Sequence, residues 1–229
     1  NSAGLFADKV ARMVVVTRWR IWPCRGEYLI LDRSKGDMIN SMVYPVPPKG
    51  GAGLGIHITP TTDGNIILGP SADYTNDGDD VRTTAKVRRQ LLSEATEFLP
   101  GISPRDVITA YSGMRPKLVP SSVGGFGDFV VEEVPEAPGV MQLVGIESPG
   151  LTAAPAIAEE VSRWTRERIP AKKNPDFKKT WSSVRRTREE ELGVIDELVA
   201  EDPGYGEIMC RCEMITRREI VDSINNELD

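Results

Sequence analysis

Cysteine is scarce in this chain: three in 229 residues, a low and odd number. That excludes a disulfide framework and fits a reducing, cytoplasmic setting. Histidine occurs once, at His57. No apolar run approaches the roughly 20 residues that span a bilayer. The longest, MVVVT at Met13–Thr17, suits a strand. A basic surplus is missing too. The net charge of -6 gives no electrostatic reason to expect nucleic acid. The one basic run, Val184–Arg188, is followed at once by Glu189–Glu191 and reads as the solvated face of a helix. The G-x-G-x-x-G phosphate fingerprint is absent. The cluster KGGAGLGIH has Gly51, Gly53 and Gly55 at the wrong spacing and leads into a β-like run, so it reads as a loop between strands. An initiator Met and a signal-peptide pattern are both missing. The opening NSAGLFADKVARM reads like the interior of a longer protein, and both ends are expected to be cuts.

What is present describes an ordinary globular chain, 40% apolar and 27% charged. It is long enough for one core, or one domain plus part of another. Leu5, Val10 and Met13 predict a short helix. The pieces RMVVVTRWRI, EYLILD, SMVYPV, IHITPT and NIILGP then predict strands. Pro23, Gly26, Lys35-Gly36-Asp37, Pro47-Pro48, the glycines from Gly50 to Gly55 and Asp63-Gly64-Asn65 punctuate them as turns. TTDGN is the strongest hairpin signal, because Asp-Gly tolerates the positive φ of a two-residue turn. A helix is predicted from about Asp80 to Leu99, with Val87, Leu91, Ala95 and Phe98 on one face and Pro100-Gly101 stopping it. Strands return at DVITAYSGMRP, DFVVEEV and VMQLVGI. A helix follows with Ile157, Val161 and Trp164 in a stripe and Pro155 in its first turn. The polar stretch Pro170–Lys179 reads as a linker, and a charged helix is predicted from about Trp181 to Ala200. The class is therefore α+β: an antiparallel sheet with flanking helices, plus a helical C-terminal extension.

Four places could carry chemistry. In VGIESPGLTAAPAIAEE a strand meets a small-residue turn and a helix start, and Gly150 permits close backbone approach. Free N–H groups and the helix dipole there suit an electron-rich acceptor, a phosphate or a reduced flavin ring; an ordinary strand-to-helix connection reads the same way. Arg115, in YSGMRPKL, is either a partner for a carboxylate or phosphate or a surface arginine at a strand end. His57, in GIHITP, is either a base or a satisfied structural residue on a strand. Cys210 and Cys212 form a Cys-x-Cys pair in a loop before the capping box Thr216-x-x-Glu219 and the stripe Ile220, Val221, Ile224, Leu228. A helix dipole there favours the thiolate a metal needs, while two incidental thiols fit the same pattern.

Taken together, these stretches resemble the FAD-dependent dehydrogenases of the D-amino-acid oxidase superfamily, of the glycerol-3-phosphate dehydrogenase type. The segments NSAGLFADKVARM, PCRGEYLILD, GIHITPTTDGNIILGPSADY, YSGMRP and GIESPGLTAAPAIAEEV occur in that family's order and cover about Asn1 to Trp164. The tail MCRCEMITRREIVDSI is similar to the opening of a bacterioferritin-associated-ferredoxin-like domain, which binds a 2Fe-2S cluster. The first resemblance implies that Gly145, Ile146, Gly150, Leu151 and Thr152 lie against the flavin. It also implies that Gly4 approaches FAD from the other side, that Arg115 binds an anionic substrate, and that His57 stands on the substrate side. The second implies that Cys210 and Cys212 are cluster ligands, with a further cysteine pair beyond this chain; Cys24 is assigned no ligand role.

These resemblances imply an organisation of residues 1–169 as substrate domain and flavin-contact helix, 170–203 as linker and charged helix, and 204–229 as a truncated ferredoxin-like domain. The Rossmann-type FAD domain is lacking, so this stretch alone is expected to bind neither FAD nor a cluster well and to be inactive. The full-length enzyme is expected to oxidise glycerol 3-phosphate at its C2 hydroxyl by hydride transfer to FAD. Its cluster domain would pass electrons to an acceptor or contact a partner subunit. Two alternatives are an oxidase of a 2-hydroxy acid such as 2-hydroxyglutarate or of an amino acid, and a non-enzymatic binding or assembly module. No nucleic acid and no transmembrane segment are expected.

Overall fold

The structure, a computed structural model, describes residues 1–46, 55–170, 172, 174–177, 180 and 183–226. The chain divides into two compact units, Asn1–Ala171 and Lys172–Asp229. The architecture is α+β, with antiparallel sheets and flanking helices. The glycine cluster at 50–54 and the Pro47-Pro48 turn lie outside the described residues. No helix among the described residues is long and apolar enough to cross a membrane.

The first unit opens with a 3-10 turn at Gly4–Phe6 and helix α1 (Ala7–Met13). Its buried side is Ala7, Asp8 and Ala11, not the larger Val10 and Met13. The predicted strand RMVVVTRWRI does not form: none of residues 12–21 is in a strand, and β1 begins only at Trp22. Instead the helix closes with Val15 N–H donating to Arg12 O at 3.0 Å and Val16 N–H to Ala11 O at 3.0 Å. This six-to-one closure needs a left-handed residue, usually glycine, and here Val15 takes it with φ 66. Buried Val16 packs with Ala11 and Val134, which holds the turn in place. Val15 is 82% exposed, so its side chain returns little for the strain. Val15→Gly is expected to raise unfolding stability by about 1 kcal/mol, read from chemical denaturation.

Strands β1 (Trp22–Leu31), β2 (His57–Pro60), β3 (Ile66–Gly69), β4 (Asp73–Tyr74) and β5 (Val107–Lys117) form one antiparallel sheet. β1 is its centre. β5 runs along one edge from Trp22↔Lys117 to Leu31↔Val107, β3 and β4 share the other edge, and β2 lies beyond β3. Pro23 and Gly26, expected as turn residues, are inside β1. Pro23 sits near the strand start, where a missing N–H costs least, and Gly26 leaves room for a side chain reaching over from β5. β2 and β3 form the hairpin expected at TTDGN, but the connection runs from Thr61 to Asn65, with Gly64 at φ +81.

Alternation gives this sheet two different faces. One carries Leu29, Leu31, Ile58, Ile66 and Leu68, which pack under helix α2 (Ala85–Phe98) through Val87, Leu91, Leu92 and Ala95. Phe98, expected in that stripe, is exposed; Leu99, just past the helix, fills the core. The helix starts at Ala85, later than the predicted Asp80, because Thr84 caps it by accepting from Val87 N–H at 3.2 Å. Glu27, 1% exposed, anchors that cap. Its carboxylate accepts from Thr84 N–H at 2.6 Å and Thr84 Oγ1–H at 3.1 Å, and it lies 3.5 Å from Arg25 Nε. Glu27→Ala strands these donors, and a loss of about 2–3 kcal/mol in unfolding stability is expected.

β6 (Val130–Glu133) and β7 (Met141–Val144) make a separate ribbon, and Ala7 packs with Val144 and Ile21 beside it. Helix α3 (Gly150–Arg168) then begins, with Pro155 inside it rather than in its first turn. Ile157, Val161 and Trp164 form the half-buried stripe, and Trp164 Nε1–H donates to Glu133 Oε2 at 2.8 Å.

In the second unit the long charged helix is not formed. Residues 184–186 are irregular, Thr187–Glu189 is a 3-10 turn, and α4 covers only Leu192–Glu201. Arg185, Arg186 and Arg188 pair with Glu190, Glu189 and Glu213, interactions that a continuous helix there does not require. A hairpin of β8 (Ile208–Cys210) and β9 (Ile215–Thr216) leads into α5 (Arg217–Ile224). The capping box is present: Thr216 N–H donates to Glu219 Oε2 at 2.9 Å and Glu219 N–H to Thr216 Oγ1 at 3.3 Å.

Candidate functional site

The sheet face away from α2 has few side chains at its middle. Register places Tyr111, Tyr28, Gly69 and His57 in one row across β5, β1, β3 and β2. The next row on β5 and β1 is Gly113 and Gly26, and the one after is Arg115 and Cys24. Three glycines therefore make a floor bounded by a histidine, two tyrosines and an arginine. A side chain at Gly26 would meet Arg115 Nη2 at 2.4 Å, and one at Gly69 would meet Tyr28 Cδ1 at 3.0 Å. Nothing lies within 4 Å of the corresponding position at Gly113, so the floor opens there into free space. Tyr28 and Tyr111 stack at 4.8 Å with their planes 6° apart, closing one end.

Arg115 is half-buried, and its guanidinium lies over Gly26. Its Nη2 donates to Ser71 O, and Nη1 lies 3.9 Å from Cys24 Sγ. Among the described residues it makes no ion pair, although three of its five N–H donors are left to serve a ligand. A half-buried guanidinium without a carboxylate is a ready site for a small anion.

His57 lies on the same face, with Tyr44 tilted against it at 5.3 Å. Its Nε2 is buried without a hydrogen-bond partner. Burial first, then the positive charge of Arg115, pushes its pKa below the usual 6.5. The ring is thus neutral at pH 7 and able to accept a proton. Cys24, beneath Arg115, is held as a thiol: burial raises its pKa against the lowering pull of Arg115 and Lys117.

The strand-to-helix turn adjoins the arginine end of β5. Gly145 has φ +70, and a side chain there would strike Leu118 at 2.4 Å. Pro149 supplies no side-chain cap, so the first-turn N–H groups at Leu151 and Thr152 stay available for a ligand. Leu151 is 95% exposed, and no residue of α3 is fully buried. Gly150 stands at the helix start, where a side chain would press on Ile146 at 2.8 Å. Gly4 takes φ +54 with open space around it. Lys117 Nζ binds Glu147 Oε1 at 3.0 Å and so ties the turn to β5.

Cys210 ends β8 and Cys212 lies in the turn after it, separated from α5 by β9, so neither directly precedes a helix N-terminus as expected. Both are free thiols, and no group of three or more metal-ligating side chains exists among the described residues. Sequence reasoning missed the glycine floor, the tyrosine pair, Glu27, and the Lys117–Glu147 tie. Only the tie left a local trace, a lysine two positions after Arg115 in an otherwise apolar strand end.

A family model described as FAD dependent oxidoreductase (DAO) matches residues 1–164. The chain is 32% identical over 232 residues to the glycerol 3-phosphate dehydrogenase of Caloramator mitchellensis, covering 100% of this chain and 46% of that protein. It is 34% identical over 177 residues to the mitochondrial L-2-hydroxyglutarate dehydrogenase of Arabidopsis thaliana, covering 71% of this chain and 36% of that one. Among solved structures, the dithionite-reduced L-alpha-glycerophosphate oxidase of Mycoplasma pneumoniae with FAD bound superposes with a TM-score of 0.63 at 28% identity, over 76% of this chain and 44% of the other. The chain spans less than half the length of each.

Proposed function

The chain belongs to the FAD dependent oxidoreductase (DAO) family, and on that premise we propose that the whole protein oxidises the C2 alcohol of glycerol 3-phosphate, with FAD as hydride acceptor. The observation that carries this reading is a pair of incomplete groups on one face: Arg115 without an ion pair among the described residues, and His57 with a buried, unpartnered Nε2. An anion and a proton donor are what these two groups lack. A phosphorylated secondary alcohol brings both.

The residues present suit the ring end of FAD. The uncapped start of α3, Gly4 and Gly145 at positive φ, and the bare floor at Gly113 leave backbone and space for a flat group. FAD, when bound, supplies a two-electron acceptor that becomes electron-rich on reduction. Leu151 and Thr152 offer N–H groups and a helix dipole that favour such charge. Arg115 grips the substrate phosphate and orients the molecule over the glycine floor. As C2 loses its hydrogen with the bonding pair, His57 Nε2 takes the hydroxyl proton and the C–O bond becomes a carbonyl.

For the tail the fit is incomplete. A 2Fe-2S cluster takes four protein ligands, and Cys210 and Cys212 are two. The described residues do not form such a site. Cys24, Cys210 and Cys212 are expected to be counted as three reduced thiols by a thiol reagent in the denatured chain, with no iron by elemental analysis. A cluster purified with the chain would reverse this.

A second substrate, 2-hydroxyglutarate, is favoured by the 34% identical plant relative, since Arg115 holds a carboxylate as readily as a phosphate. The deciding experiment adds glycerol 3-phosphate, 2-hydroxyglutarate and amino acids anaerobically to the full-length, FAD-loaded protein and follows loss of visible flavin absorbance. Bleaching by glycerol 3-phosphate at the lowest concentration is expected. Bleaching by 2-hydroxyglutarate alone moves the assignment to the second substrate, and no bleaching by any of them removes both.

A further inference from the structure

We propose that Lys117 and Glu147 are positioning residues, whose buried ion pair holds the turn 145–150, and with it the start of α3, in fixed register against the Arg115 end of β5. This rests on the reading that the turn faces the flavin. Lys117 Nζ lies 3.0 Å from Glu147 Oε1, with the side chains 5% and 4% exposed. The same Nζ donates to Gly125 O at 3.2 Å and stands 4.7 Å from the centre of the Phe126 ring. Desolvating two charges costs several kcal/mol per ion, and an apolar pair of similar volume usually serves stability as well or better. Stability therefore does not account for the pair. Direction does: an ion pair with hydrogen bonds fixes distance and angle, whereas apolar contacts let packed surfaces slide.

The turn has few other anchors. Gly145 leans on Leu118 without a side chain of its own, Pro149 gives no cap, and α3 buries no residue fully. Glu147 holds it twice, by its carboxylate to Lys117 and by its carbonyl, which accepts from Gly150 N–H at the helix start. Lys117 follows Arg115 by two residues, so both project to the same side of β5. One contact thus joins the anion-binding side chain to the N–H groups of Leu151 and Thr152. If those groups must meet a bound substrate and a bound ring together, this is the contact that sets their spacing.

The test uses the full-length, FAD-loaded protein. In Lys117→Met/Glu147→Leu the thermal midpoint is expected to equal or exceed that of the wild type. The flavin midpoint potential is expected to shift to more negative values, and KM to rise several-fold, because the helix start no longer stands where it favours the reduced ring. Glu147→Gln, nearly isosteric, is the second variant and is expected to shift the potential in the same direction. A wild-type potential and KM in both variants would overturn the proposal. Leu151→Asp separates this from its premise by placing a carboxylate in the first turn of α3. If Leu151→Asp lowers the potential while the pair variants leave it unchanged, only the positioning role falls. If Leu151→Asp leaves it unchanged too, the flavin-facing turn falls and the positioning role falls with it.

Discussion

Arg115→Ala in the full-length protein is expected to raise KM for glycerol 3-phosphate by about a hundred- to a thousandfold while FAD content stays at the wild-type level. The size follows from what is removed. Truncating one partner of a desolvated, hydrogen-bonded charge pair costs about 2–5 kcal/mol, and about 1.4 kcal/mol is a factor of ten. The guanidinium is already oriented before substrate arrives, by Ser71 O on Nη2 and by the absence of a side chain at Gly26, so little is spent on ordering it. Arg115→Lys is expected to recover only part of the loss, since an ammonium cannot match the two-pronged geometry. Gly26→Ala gives an independent check. Its new methyl group would stand 2.4 Å from Nη2 and push the guanidinium away, so KM rises without any change of charge. Steady-state kinetics with visible flavin absorbance as the loading control reads all three. A wild-type KM in Arg115→Ala would refute the anion-binding role.

How far the site could be read from sequence depends on the range of the interactions involved. The α+β class, the hairpin at Asp63-Gly64, the stop of α2 at Pro100-Gly101 and the turn before α3 all follow from local periodicity and turn chemistry, and they are where they were expected. MVVVT has the β-branched residues that signal a strand, whereas here Val15 and Val16 close α1 through bonds back to Arg12 and Ala11. The charged stretch before α4 has the mixed charges of a solvated helix face, while the folded pairs hold an irregular segment.

The glycine floor was invisible for a different reason. Gly26, Gly69 and Gly113 come from three strands, and each alone looks like a turn or a break. Only register brings them side by side. Lys117 and Glu147, 30 residues apart, and Glu27 and Thr84, 57 apart, likewise meet only through tertiary folding. His57 and Arg115 could be singled out by residue type and neighbours. That they share a face, and that one depresses the pKa of the other, could not.

That coupling gives the second large effect. His57→Gln is expected to lower kcat by about a hundred- to ten-thousandfold, the usual contribution of a positioned general base. Only the neutral ring can take the hydroxyl proton, so kcat/KM in the wild type should climb with pH and level off once His57 is deprotonated. Because burial and then the charge of Arg115 depress the pKa, the midpoint of that climb belongs below 6.5. The same shift acts on stability. As pH falls below 6.5 the unfolded chain takes up a proton on His57 that the folded chain resists, so stability declines until the folded pKa is passed and is flat beneath it. His57→Gln removes this slope.

In Arg115→Ala the depressing charge is gone while burial remains, so the midpoint should move up without reaching the ordinary value. Bound phosphate offsets the same charge, so the climb of kcat, which reports the complex, should lie at higher pH than that of kcat/KM in the wild type. A pH profile unchanged by His57→Gln would leave the proton with another group and refute the base.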